Sequence, residues 1–412
     1  MQTTLAALAV LTAGYIFAYL LFDRLRDRYG YVGGAEYVLL GVLLGPHVTG
    51  LLDAGRVQDL TPIVSLAIGW LGMLLGTYFR LPALALLPPD QVRMGFSEAV
   101  ATFAAALGPL LLLFRYLAGH GWTDSAVQAV TLSAVATLSS PAAVDALVER
   151  ARLRSAILPV LQFTARIDAL VGVVAFGIVL AVFHRGDVAP GIRPPTATEW
   201  AVINLAIGVA SGVLFHLFLG PRDASNEAGG ASRLFVALAG AIVVASGASY
   251  YLNLSPLYTN LVLGFILANS GGPHRDVTRL LLVTERPVYL ALLVFAGAAW
   301  SPESVDLLFL APAFVLVRLA ARFLGAKATA ELVAPPELRT PALARGLLAQ
   351  GGLAVAIAVS YTQVRPDLNP RLILSAALLS VLLFEIVAGR EGVSLVQSLE
   401  EAEPGAAAVA AS

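Results

Sequence analysis

Apolar residues fall in long runs separated by short polar stretches. The runs lie near 3–22, 34–52, 60–79, 94–116, 126–148, 155–183, 199–219, 233–251, 256–270, 284–300, 305–324, 341–361 and 370–389. Most are close to the ~20 residues a helix needs to cross a bilayer. In hydrocarbon every backbone N–H and C=O must be satisfied inside the protein, and a helix does this by itself. The pattern therefore predicts an all-α polytopic membrane protein with about 13 transmembrane helices. The run at 3–22 has no positive charge before it and no clear small-residue cleavage site after it. It reads as a first transmembrane helix rather than a signal peptide.

Two of the runs are interrupted. One carries Thr137-Leu138-Ser139-Ser140-Pro141. Pro141 has no N–H and disfavours helix at Ser140. The other carries Gln350-Gly351-Gly352, whose glycines supply backbone freedom. Each break comes after a Leu- and Gly-rich stretch, 39–47 in the first half and 261–269 in the second, and these two stretches are alike. An odd number of spans between them would invert the second copy. Paired interrupted helices in inverted repeats point to a transport site near the midplane. If the two breaks cross, their helix ends, each carrying about half a unit charge, face one another and need compensation by side chains. The hydroxyls of Thr137, Ser139 and Ser140 can replace lost backbone bonds or ligate a cation.

Composition narrows the class. The chain has 412 residues, 58% hydrophobic and only 13% charged, against about 25% charged in soluble domains. It has no cysteine, which excludes disulfides, thiolate metal sites and a cysteine nucleophile. A formal net charge of −1 gives no electrostatic case for nucleic acid. Its five histidines form no H-x-x-x-H pair, so no metal beyond a transported ion, and no cofactor, is expected. Arg and Lys concentrate in alternate loops, as at Arg24, Arg26, Arg28, Arg80, Arg93, Arg150, Arg222, Arg275, Lys327 and Arg339. The bias predicts a multi-pass protein of the plasma (inner) membrane, with the N-terminus outside and the C-terminus cytoplasmic. Residues 390–412 read as a short cytoplasmic tail without a regulatory domain.

A few charges lie inside the runs. Asp168 sits mid-run on a helix face with Thr164, Ala165, Gly172 and Ala175, small neighbours that leave room for close packing or an ion. A carboxylate at bilayer depth costs about 2.5–3.5 kcal/mol, so a chain keeps one for an ion path or a neutralising partner. Arg166 points about 200° away round the helix and needs another partner. Glu98, Asp145 and Glu385 are candidates for that structural ion pair. Arg318 and Arg322 lie one turn apart, where like charges repel; at least one needs a carboxylate or an exit to the membrane surface.

These motifs, in this order, resemble the monovalent cation–proton antiporters, which include bacterial sodium–proton and potassium–proton exchangers. Gly41-Val42-Leu43-Leu44-Gly45-Pro46 resembles the family's second-helix motif. Ala136-Thr137-Leu138-Ser139-Ser140-Pro141 resembles its first unwound segment, and Leu347-Leu348-Ala349-Gln350-Gly351-Gly352-Leu353-Ala354 its second. Arg166-Ile167-Asp168 lies where the family places its ion-binding Asp, and Arg318 to Gly325 resembles the helix holding its basic residue. The family usually has a polar residue immediately before that Asp; here it is Ile167.

The resemblance implies a secondary antiporter rather than an enzyme, with two crossed discontinuous helices and a homodimeric assembly. It would form a single transporter unit over 1–389. Core helices would lie in about 94–183 and 305–389, and interface helices in about 1–79 and 199–300. Asp168 would bind either H⁺ or the cation, Na⁺ or K⁺. Thr137, Ser139, Ser140 and nearby carbonyls would complete the cation shell, and Arg322 or Arg318 would offset the carboxylate charge. With one titrating group and Ile167 beside it, exchange is expected to be electroneutral and to serve pH homeostasis. A sodium-coupled symporter of an organic anion is the alternative with the same repeat architecture.

Overall fold

Proline or glycine stands at most helix starts. In this computed structural model, which describes residues 35–151, 155–185, 193–219, 230–270, 274–301, 307–340 and 342–402, helices dominate and the described residues include no strand. In chain order the main helices are α1 (Ala35–Leu44), α2 (Thr61–Thr77), α3 (Pro89–Leu112), α4 (Trp122–Thr137), α5 (Pro141–Ala151), α6 (Ile157–Val182), α7 (Ala197–Leu219) and α8 (Gly230–Tyr251). The second half adds α9 (Pro256–Asn269), α10 (His274–Ala298), α11 (Leu307–Leu332), α12 (Ala342–Gly346), α13 (Gly352–Val364) and α14 (Pro370–Ala402). Prolines open α3, α5, α9 and α14 at their first position, where the missing N–H costs nothing.

Among the described residues eight helical segments are long and apolar enough to cross a membrane; α2, α9 and α13 are shorter apolar helices. The expected polytopic fold is therefore present. The first expected span, 3–22, lies outside the described residues. Several boundaries differ from the sequence reading; α10, for one, starts at His274 rather than near 284. The run at 34–52 is helical only to Leu44, because Gly45-Pro46 turns the chain. α11 runs on to Leu332, past the expected 324. Residues 390–402, expected in the tail, continue α14 and pack back on the protein. Arg345 on α12 bonds Glu391 at 2.7 Å, and Leu395 is buried.

The two halves use equivalent helices in equivalent ways. α1 packs on α10, and α9, its counterpart in the second half, packs on α2. Both crossings are glycine-tight: a Cβ at Gly41 would lie 2.1 Å from the Val294 carbonyl, and one at Gly264 2.2 Å from that of Met73. Small residues at membrane crossings let backbones approach, because dispersion and polar contacts replace the hydrophobic drive there. The third helices of the two sets, α3 and α11, pack on each other, and α3 also contacts α4 and α6. That arrangement brings the two broken helices and α6 together.

Candidate functional site

The site begins with the two breaks. α4 ends at Thr137, Leu138 turns extended (ψ 128°), and α5 starts at Pro141. α12 ends at Gly346 and α13 starts at Gly352. The breaks are hydrogen-bonded to each other: the Ser140 amide donates to the Ala349 carbonyl at 2.8 Å. Gln350 Nε2 donates to the Val135 carbonyl at 2.8 Å, and Ser380 Oγ donates to Gln350 Oε1 at 2.7 Å. Gly351 has φ +68°, and a Cβ there would lie 2.6 Å from Ser140 Oγ, so both conformation and space require glycine. The crossed discontinuous helices read from the sequence are thus present.

Both arginines of α11 reach this crossing. Arg318 is fully buried; its Nη2 donates to the carbonyls of Leu138 (3.3 Å) and Leu348 (2.9 Å), one from each break. Its guanidinium also lies 4.0 Å from the Phe384 ring centroid. It therefore compensates the negative ends of α4 and α12 and, among the described residues, bonds no carboxylate. Arg322 Nη2 donates to the Thr137 carbonyl, while its Nη1 donates to Asp168 Oδ2 at 2.8 Å and to Glu98 Oε1 and Oε2 at 3.0 and 3.1 Å. Arg322, Asp168 and Glu98 are all 0% exposed.

Asp168 is supported on one oxygen only. Ser139 Oγ stands 2.6 Å from Asp168 Oδ2 and 3.0 Å from the Leu347 carbonyl. Its single proton can serve either acceptor. Among the described residues Asp168 Oδ1 is buried without a hydrogen-bond partner, and so is Thr164 Oγ1 one turn earlier on the same helix face. Of the three hydroxyls predicted from the first break, only Ser139's bonds the carboxylate. Thr137 Oγ1 donates to the Ser133 carbonyl at 2.9 Å, and Ser140 Oγ accepts from the Ala143 amide, capping α5.

The other intramembrane charges sort differently from expectation. Arg166 pairs with Asp145 at 3.3 Å, and its guanidinium lies 4.9 Å from the Tyr78 ring centroid. Glu98 is not its partner, having been claimed by Arg322. Nor is Glu385, whose Oε1 accepts from Tyr289 at 2.5 Å. Sequence reasoning placed Glu98 in a structural pair and missed it as a site residue. The signal was available: like Asp168, it is a carboxylate inside an apolar run, with Thr102 four residues on donating to it at 2.8 Å.

One glycine brings the triad together. Gly325 lies one turn beyond Arg322, and a Cβ there would fall 2.0 Å from Thr102 Oγ1 and 2.9 Å from the Thr102 amide nitrogen. Gly325→Ala is expected to push α11 off α3 and stretch the Arg322–Glu98 contact. Overpacking of this kind costs about 1–3 kcal/mol. A lowered melting temperature in detergent is the expected readout; an unchanged one would show that the crossing yields at no cost.

No family model and no curated protein matches the chain. Solved structures do. That of the sodium proton antiporter MjNhaP1 from Methanocaldococcus jannaschii at pH 8 superposes with a TM-score of 0.64 at 13% identity, covering 96% of this chain and 99% of that one. An electron-microscopy map of the same antiporter gives 0.64 at 14% identity, with 96% and 98% covered. The chain has the fold of these sodium proton antiporter structures, the architecture its motifs led one to expect.

Proposed function

We propose that the chain is a secondary antiporter of the monovalent cation–proton type, exchanging Na⁺ or K⁺ for H⁺ at Asp168. The observation that carries this reading is the charge balance of the buried triad. Two carboxylates, Asp168 and Glu98, share one guanidinium, Arg322. With both acids ionised the triad holds one net negative charge, the second guanidinium, Arg318, being taken up by the Leu138 and Leu348 carbonyls. A buried uncompensated charge is costly, so the site favours one proton or one alkali cation, and not both. Asp168 Oδ1 and Thr164 Oγ1 are the open oxygens, and hard monovalent cations take such ligands. The Glu98 carboxylate and the Thr137, Leu138 and Leu348 carbonyls at the breaks, all held by the same arginines, are the further candidate ligands. Open oxygen acceptors favour a cation over an organic anion as the cargo.

Turnover then follows from competition. A proton on Asp168 removes the charge that holds the cation, and a bound cation removes the site's need for the proton. Helices in 94–183 and 305–389 would carry the site, moving against those in 1–79 and 199–300. The protein would work as a homodimer in the inner membrane, N-terminus outside and C-terminus cytoplasmic.

The test is a pH-dye assay in liposomes holding the purified full chain, with Na⁺ and K⁺ added separately. Proton movement on addition of either ion is expected, with the apparent cation affinity falling as pH is lowered. Silence toward both would end the reading. One cation against one proton moves no net charge, so exchange is expected to be electroneutral. Rates measured at clamped ion gradients should not change when a valinomycin-set membrane potential is imposed on Na⁺ exchange; a voltage-dependent rate would refute that stoichiometry.

A further inference from the structure

A cavity of about 520 Å³ lies beside the site, between α3 and α6 on one wall and α7 and α9 on the other. That is within the range of about 300–1,000 Å³ of small-molecule pockets. Its lining includes Phe96, Ile167, Leu170, Leu205, Val262 and Phe265. Apart from the phenol of Tyr258, every lining side chain is a hydrocarbon. Ile167, the apolar residue preceding Asp168, belongs to this wall. Phe96 and Leu205 line the cavity and are also 43% and 44% exposed. They sit on α3 and α7, so the cavity opens sideways between two membrane helices.

Such an opening cannot be filled by water. Apolar cavities stay dry, and at this depth the surrounding medium is hydrocarbon. What the bilayer supplies is an acyl chain. The neighbouring polar chemistry is cationic. Arg80 follows Phe79, which lines the cavity, and precedes the short helix Leu81–Leu84, whose Leu84 lines it too. The loop is fixed by α9: Asn269 Oδ1 accepts from the Leu81 amide at 2.8 Å, and Asn269 Nδ2 donates to the Phe79 carbonyl at 2.9 Å. Leu81 and Leu86 are 56% and 85% exposed, as suits a loop lying on the membrane surface. Among the described residues Arg80 has no carboxylate partner, and its buried Nε has no acceptor. A guanidinium is a planar multiple donor matched to phosphate oxygens.

We propose that this cavity holds one acyl chain of an anionic phospholipid, whose headgroup phosphate is bound by Arg80. Phosphatidylcholine brings its own ammonium to compete for that phosphate; phosphatidylglycerol does not. The acyl chain covers the face of α6 that carries Ile167 and keeps that side of the site dry.

The test is native mass spectrometry of the delipidated full chain, titrated with phosphatidylglycerol and phosphatidylcholine in equal amounts. Wild type is expected to retain one phosphatidylglycerol with about fivefold preference, the worth of one basic side chain at a membrane surface. Arg80→Gln should bring the two lipids level, and Val209→Trp, which fills the cavity from α7, should lower both. Equal retention of the two lipids by wild type, or displacement of lipid by detergent alone, would overturn the proposal. So would unchanged binding in a folded Val209→Trp variant. If that variant does not fold, the wild-type and Arg80→Gln comparisons decide. The readout is mass, so it stands apart from whether the protein exchanges ions.

Discussion

Asp168→Asn is expected to abolish cation-driven proton movement in liposomes while leaving the protein folded. The amide takes up no proton in the working pH range, so the competition proposed to couple the two ions disappears. The fold should survive because the other contacts of the triad remain. Arg322 keeps Glu98 at 3.0 and 3.1 Å and the Thr137 carbonyl. Ser139 keeps the Leu347 carbonyl at 3.0 Å. In the variant the Glu98–Arg322 pair is balanced, so its melting temperature should equal or exceed that of wild type. Asp168→Glu keeps a titratable group but shifts the open oxygen by roughly an ångström, a displacement that can cost about a hundredfold in rate. Wild-type exchange by the Asn variant, measured with the pH dye, would remove Asp168 from the mechanism.

Much of the architecture was legible because its signals are local. A proline beside two serines, or two glycines after a glutamine, breaks a helix wherever it occurs, and both breaks stand where the sequence put them. Run length fixed the spans because bilayer thickness is constant. The run at 34–52 misled for the same reason: Gly45-Pro46 ends the helix, but Val48, Leu51 and Leu52 keep the stretch apolar. Beyond residue 389 the reverse holds. Glu391, Ser394 and Ser398 look like a tail, yet they continue the helix and Glu391 pairs with Arg345.

Pairing was not legible, because partners across helices are set by crossing geometry. Arg166 had three acidic candidates by composition, and the structure gives it Asp145, brought alongside by the packing of α5 on α6. Glu98 belongs to Arg322 because Gly325 lets α11 close on α3, a contact that spans more than two hundred residues of sequence. Of the two arginines offered to offset the carboxylate, Arg322 does so, while Arg318 answers two carbonyls. Periodicity puts Thr164 and Asp168 on one face, but only the three-dimensional arrangement leaves Thr164 Oγ1 and Asp168 Oδ1 both unbonded.

Arg322→Gln is the substitution with the largest expected cost to stability. It leaves Asp168 and Glu98, both 0% exposed, without their shared cation, and it strips a charge-assisted donor from the Thr137 carbonyl at the end of α4. Removing one partner of a buried ion pair costs about 3–5 kcal/mol, because the remaining charge keeps its desolvation penalty. Here two acids are stranded, so the melting temperature should fall further than for any single change at the breaks. Glu98→Gln made in the same chain removes one stranded acid and should recover a large part of the loss. Glu98→Gln alone leaves a balanced Asp168–Arg322 pair and should be mild. The four-protein cycle isolates the coupling between the two positions. An Arg322→Gln protein as stable as wild type would mean that the guanidinium does not hold the two carboxylates in the folded membrane protein. Failure of Glu98→Gln to recover stability would mean that the loss comes from the Thr137 carbonyl rather than from stranded charge. Ion exchange is expected to be lost in both Arg322 variants, since Asp168 Oδ2 then lacks the contact that leaves only Oδ1 open to an ion.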